Sequence, residues 1–137
     1  MSWSTFAPAA RHALHLTRVH ARRPGQSVRR CCQLAGLDPA VLARLRDHLR
    51  AEGLAGFIVP RADVHQGEYV AARDERLQWL TGFTGSAGFC IVLPQKAGVF
   101  IDGRYRTQVK LQVDLAHFTP VPWPEIKPGP WILENLT

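Results

Sequence analysis

Acidic residues are missing from the first 37 positions, which carry six arginines, Arg11, Arg18, Arg22, Arg23, Arg29 and Arg30. Those six account for the whole formal charge of +6, so the remainder of the chain is neutral. A basic total would point to nucleic acid if it were spread over a folded surface. Confined to one arm it does not, and no nucleic-acid partner is expected. Cysteine is scarce as well. Of the three, Cys31 and Cys32 are neighbours and Cys90 stands alone, which gives no framework of separated pairs. No C-x₂-C and H-x₃-H spacing accompanies them, so a metal site in the arm is not expected. No run reaches the length of a membrane span, and the start lacks the apolar core and cleavage site of a secretory signal. A reducing, cytoplasmic setting without membrane attachment is the expectation.

What is present is a soluble globular profile, 46% hydrophobic and 20% charged over 137 residues, enough for one domain. Residues 1–36 show no sustained periodicity and are read as a basic, disordered extension, with a transit peptide or an anion-gripping arm as alternatives. The folded unit is placed at 37–137. Asp38 as N-cap and Pro39 at the first helical position open an amphipathic helix with Val41, Leu42, Leu45 and Leu49 inward. Arg44, Arg46, Asp47 and Arg50 are expected to face water, with closure near Gly53. Ala55–Val59 reads as a strand stopped by Pro60, and helix followed by apolar strand argues an α/β layer.

A polar loop follows, with Asp63, His65, Glu68 and Tyr69. Asp63 and His65 have the make-up of a base pair for catalysis or of half a metal site, but without a partnered nucleophile the plainer reading is a hydrogen-bonded loop. Asp74–Leu80 reads as a short helix with Leu77 and Leu80 inward. The centre of the chain is Trp79–Tyr105. Glycines at 82, 85 and 88, with Thr84 and Ser86 between them, form a turn that feeds strands Gly88–Leu93 and Gly98–Asp102, an antiparallel hairpin through 94–97. This is not a phosphate loop, since it precedes a strand and lacks the Lys-Ser/Thr ending. Residues 104–113 fit a helix, Ala116–Thr119 an edge strand, the prolines from 120 to 130 an extended loop, and 131–136 the start of a helix in whose middle the chain stops.

Four ordered motifs carry a resemblance: Ile58-Val59-Pro60, Asp63-x-His65-Gln66-x-Glu68-Tyr69, Gly82-Phe83-x-Gly85-Ser86-Ala87-Gly88 and Asp102-Gly103-Arg104-Tyr105. From Leu45 to Leu136 the chain resembles the N-terminal domain of Xaa-Pro aminopeptidases of the aminopeptidase P type, in the creatinase/prolidase group. The resemblance implies a mixed β-sheet flanked by helices, oligomer contacts, and a separate catalytic domain. That other domain would hold two metal ions, usually manganese, on two Asp, one His and two Glu. Neither a catalytic residue nor a metal ligand is expected in this chain, and no cofactor. Asp102, Asp114, Glu125 and Glu134 are too scattered to serve. Arg104 is implied to bind peptide substrate, through bidentate hydrogen bonds to carboxylate or carbonyl oxygens. Asp102 would cap the next helix or orient that arginine, and His65 and Tyr69 would fix their loop. Because family members continue beyond the last helix, the chain is expected to be a C-terminally incomplete domain with an unpaired sheet edge, an uncovered apolar face and no hydrolytic activity of its own. The rival reading is a stand-alone module that binds a peptide or an anion and carries a basic N-terminal arm.

Overall fold

A computed structural model describes residues 39–137. The basic arm, Cys31, Cys32 and the Asp38 cap lie outside the described residues. Helix α1, Pro39–Ala51, buries Val41, Leu42 and Leu49, with Leu45 packed beside them. Gly53 ends it at φ +68, and the Leu54 N–H returns to the Leu49 carbonyl at 2.9 Å. That is the left-handed closure for which glycine has no Cβ penalty. One polar position departs from expectation. Arg46 turns inward and its Nε donates to the Leu93 carbonyl at 3.0 Å, anchoring α1 to the hairpin turn. Partial burial pulls its pKa below the ordinary arginine value.

Strand β1, Phe57–Pro60, is followed by the polar loop, a 3₁₀ turn at Ala72–Asp74 and helix α2, Arg76–Thr81. Leu77 and Leu80 of α2 are buried as their spacing predicts. Strands β2, Phe89–Val92, and β3, Ala97–Ile101, form the antiparallel hairpin. A 3₁₀ turn at Gly103–Tyr105 leads into helix α3, Arg106–Gln112, which buries Val109 and leaves Leu111 exposed. Strand β4, Thr119–Pro122, then lies parallel to β3, as a helical crossover requires. Helix α4, Pro128–Asn135, completes the chain.

The edge strand therefore sits three residues later than the pattern suggests. Asp114 causes the delay: its side chain accepts the Ala116 N–H at 2.9 Å, and its carbonyl accepts those of His117 and Phe118. This local turn occupies the positions that read as strand. The prolines then enter β4 without loss. Trp123 N–H donates to the Ile101 carbonyl at 2.9 Å, so by alternation Val121 also faces β3, while Pro120 and Pro122 face outward, where no ladder donor is needed. The last helix also ends within the chain, since Leu136 is extended at φ −85 and its N–H donates to the Ile132 carbonyl at 2.8 Å.

The order of the mixed sheet is β1-β2-β3-β4. Alternate residues pack on opposite faces. Val59, Cys90, Val92, Ala97, Val99 and Ile101 meet the apolar sides of α1, α2 and α3. The opposite face carries Ile91, Phe100 and Val121 beneath Trp131 of α4. Phe89 stacks on Phe100 with centroids 4.8 Å apart, and Trp131 meets Phe100 edge-on at 5.4 Å. Cover on this side thins toward β1, where Ile58 is 51% exposed. Cys90 is fully buried, and burial drives its thiol pKa far up, so it packs as an inert small hydrophobe.

Gly98 makes the second layer possible. A Cβ built there would lie 2.7 Å from Cζ2 and 2.9 Å from Cη2 of Trp131. Gly98→Ala is therefore expected to overpack the α4 face and cost about 1–3 kcal/mol, read as a lower urea midpoint with an unchanged slope. An unchanged midpoint would mean that Trp131 is not seated on β3.

Candidate functional site

All four motifs converge at one end of the sheet, where β1 and β3 finish and β2 begins. Arg61 follows β1, and its Nη1 donates to the carbonyls of Glu68 at 3.2 Å and Ser86 at 3.1 Å. Its Nη2 lies 3.5 Å from a carboxylate oxygen of Glu75, with only 16% of the arginine side chain exposed. One guanidinium thus joins the strand end, the polar loop, the approach to α2 and the glycine turn. The sequence reading does not single out Arg61. Its strongest partners are main-chain carbonyls, which no residue pattern reveals.

The glycine turn is held from a second side by α3. Gly82 caps α2 at φ +80, and a Cβ there would lie 2.7 Å from the Gln112 carbonyl, so both the backbone angle and the close approach demand glycine. Thr81, fully buried, donates to the Leu77 carbonyl and accepts the Phe83 N–H. Thr84 pairs with the Gln112 amide in both directions, N–H to Oε1 at 3.0 Å and Nε2 to Oγ1 at 2.7 Å. Two residues on, the Tyr105 hydroxyl accepts the Ser86 N–H at 3.1 Å and shares a hydrogen bond with Ser86 Oγ at 2.5 Å. That hydrogen bonding lowers the phenol pKa from its ordinary value. The Tyr105 ring meets Phe83 edge-on at 5.5 Å.

On this base stands Asp102-Gly103-Arg104-Tyr105. Asp102 accepts the Arg104 N–H at 2.9 Å, an N-cap contact that opens the 3₁₀ turn. The same carboxylate takes the side-on edge of the Arg104 guanidinium: Nε at 3.1 and 3.2 Å to the two oxygens, Nη2 at 2.7 Å. So Asp102 both caps and orients. The Arg104 side chain nevertheless stays 66% exposed, with its carbon Cζ 5.2 Å from the Tyr105 ring centroid. Its second edge, Nη1 with the remaining Nη2 hydrogen, is available for an acceptor pair. The pairing holds the Asp102 carboxyl below the ordinary carboxylate range and raises the guanidinium pKa.

The polar loop is pinned differently from the sequence reading. Asp63 does the work, its Oδ1 accepting the N–H groups of His65 at 2.9 Å and Gly67 at 3.3 Å. Tyr69 is 89% exposed and fixes nothing inside the loop. The hydrogen bond between Asp63 and His65 is made by the main-chain N–H of the histidine. Among the described residues no group of three or more His, Cys, Asp or Glu is gathered as a metal site. Asp102 is engaged by Arg104, Glu125 by Arg106 and Asp114 by its own turn. The described carboxylates are not gathered in a way that fits a two-metal centre.

Residues 42–136 match the model of the Creatinase/Prolidase N-terminal domain. The chain belongs to that family. Human Xaa-Pro aminopeptidase 2 is 40% identical over 97 residues, a match that spans 66% of this chain and 14% of the human protein. Among solved structures, the X-prolyl aminopeptidase of Caenorhabditis elegans superposes with a TM-score of 0.62 at 30% identity, over 70% of this chain and 18% of that one. It is described as a cytosolic enzyme with a di-nuclear active site. The Xaa-Pro dipeptidase of Bacillus anthracis shares the fold at a TM-score of 0.52 and 20% identity, over 68% of this chain and 23% of its own. This creatinase/prolidase N-terminal domain thus spans less than a quarter of each of these three relatives.

Tyr105→Phe is expected to remove the hydroxyl that closes the motif onto Ser86 and to cost about 0.5–1.5 kcal/mol by urea unfolding, with the Phe83 contact retained. Acid titration reports the other contact. Asp102 has a lower pKa folded than unfolded, so its contribution is complete above the unfolded value of about 3.9 and is lost as pH falls through the folded value. The Arg104 Nε–H resonance is expected to hold steady from neutrality to about pH 4 and to move below it. Movement between about pH 5 and 7 would mean that Asp102 is not the partner.

Proposed function

We propose that this chain is the non-catalytic N-terminal domain of a metal-dependent Xaa-Pro aminopeptidase, supplying oligomer contacts and a substrate-binding arginine, Arg104, to an active site built on a separate domain. The observation that carries the reading is the state of Arg104. It is fixed along one edge by Asp102, backed by a turn locked to Ser86, and still open to solvent along the other edge. An exposed arginine held in this way has already lost side-chain freedom before a ligand arrives, which favours binding. Peptide carbonyl or carboxylate oxygens are the acceptors that its free edge fits.

The oligomer role rests on the pinned loop. Val64 and Tyr69 are 81% and 89% exposed there, on a segment held by Asp63 and Arg61, so apolar surface is presented without an ordering cost. The cytosolic relative from Caenorhabditis elegans supports a cytoplasmic setting by analogy, and no helix among the described residues is long and apolar enough to cross a membrane. The two manganese ions belong to the other domain in this reading, and no hydrolytic step is assigned to residues of this chain.

The purified chain with added manganese is expected to release no N-terminal residue from an Xaa-Pro peptide above the metal-only blank. Metal-dependent turnover that survives repurification would overturn the non-catalytic reading. A peptide titration of the isotope-labelled chain is expected to shift the Arg104 side-chain resonance, and Arg104→Ala to weaken that binding about tenfold, the usual loss for a hydrogen bond to a charged group.

A further inference from the structure

The clamp on Arg104 does more than hold it still. We propose that Asp102 determines the ligand preference of the Arg104 site, screening the guanidinium so that a neutral peptide carbonyl binds at least as well as a carboxylate. This inference rests on the reading of Arg104 as a peptide contact. Three hydrogen bonds join the two side chains, and a fourth, from the Arg104 N–H to the same carboxylate, keeps Asp102 from swinging away. The negative charge is therefore a permanent part of the site. The Tyr105 ring, 5.2 Å from Cζ, restricts the guanidinium further.

A ligand on the free edge meets a guanidinium whose charge is already matched. A carboxylate there is attracted by Arg104 and repelled by Asp102 from just beyond it, and in an exposed site the two energies differ by less than about a factor of two. Little net attraction remains to offset the desolvation of a full negative charge, which costs more than that of an amide carbonyl. The hydrogen-bond donors on the free edge are unaffected. The ligand suited to such a site is an uncharged peptide segment running past Arg104, not a terminal carboxylate seated on it.

The test compares the tripeptide Ala-Pro-Ala as its C-terminal amide and as its free acid, titrated into the labelled full chain while the Arg104 Nε–H resonance is followed. The wild-type chain is expected to bind the amide at least as tightly as the acid, with little change between about 50 and about 300 mM salt. Asp102→Asn retains a side-chain oxygen for the Arg104 N–H and removes the charge. It is expected to tighten the acid by about threefold and to make that binding fall with salt, while the amide stays within about twofold. A wild-type preference for the acid would overturn the role of Asp102 and leave the peptide-contact reading standing. Equal weakening of both ligands in Asp102→Asn would reduce Asp102 to a support for Arg104 and likewise overturn its part in selection. If neither peptide moves the Arg104 resonance, the peptide-contact reading falls, and this inference with it.

Discussion

Ser86 is the point on which this end of the domain turns, because its three polar groups are engaged from two different parts of the chain. Its carbonyl accepts from Arg61, which brings in β1, the Asp63 loop and Glu75. Its N–H and Oγ both meet the Tyr105 hydroxyl, which brings in the end of β3. Its chain neighbours, Gly85 and Ala87, are both small, which leaves room for approach from two directions. Individually these bonds are modest, about 0.5–1.5 kcal/mol each. They share one residue, so they stand or fall together, and the polar network acts as a single joint. Arg104 is placed by that joint through its neighbour: the Tyr105 hydroxyl is tied to Ser86, and the Tyr105 ring lies 5.2 Å from the Arg104 Cζ.

The sheet beneath is governed by a different constraint. Both of its faces are apolar, so each needs helical cover. Three helices lie on one face and α4 alone on the other, where the bare surface of Gly98 lets an indole reach the strand. The two outer edges are also handled in chemically similar ways. Since the Arg61 N–H faces β2, Pro60 points outward from β1, as Pro120 and Pro122 do from β4. Proline at these positions removes donors that a second sheet would otherwise use. Among the described residues β1 and β4 are the two edges of the sheet, and the chemistry of both discourages strand addition. Contacts with other chains are better sought on the exposed loop around Val64 and Tyr69 than along the strands.

Legibility followed the range of the interactions. The hairpin, the inward leucines of α1 and α2, and the helix after Arg104 were readable because alternation and helical spacing are local and a single buried face enforces them. The family resemblance added the mixed sheet, which no local pattern contained. Errors arose where a polar side chain reached across the fold. Arg46 has the spacing of a solvent-facing residue, yet it is partly buried and its Nε finds a carbonyl 47 residues away. Arg61 was passed over for the same reason. The shift of β4 had a local cause, the Asp114 turn, but its signal was outweighed by prolines that are harmful only if their outward orientation is unknown. Tyr69 was assigned to holding its loop because motif membership does not distinguish a residue that builds a loop from one displayed by it.

Arg104 was legible as a candidate from the resemblance alone, whereas the meaning of its neighbour required geometry. From sequence, Asp102 is equally a helix cap or a partner for the arginine, and these roles usually compete for one carboxylate. Here the 3₁₀ turn brings the Arg104 N–H and guanidinium to the same side, so that one carboxylate serves both at 2.7–3.2 Å. A side-on pair leaves the opposite edge of a planar guanidinium unused. An end-on pair would have consumed it. The arginine consequently keeps an open edge of donors while its charge is answered within the motif, and in the proposed peptide contact such a combination would distinguish ligands by shape and hydrogen bonding more than by charge.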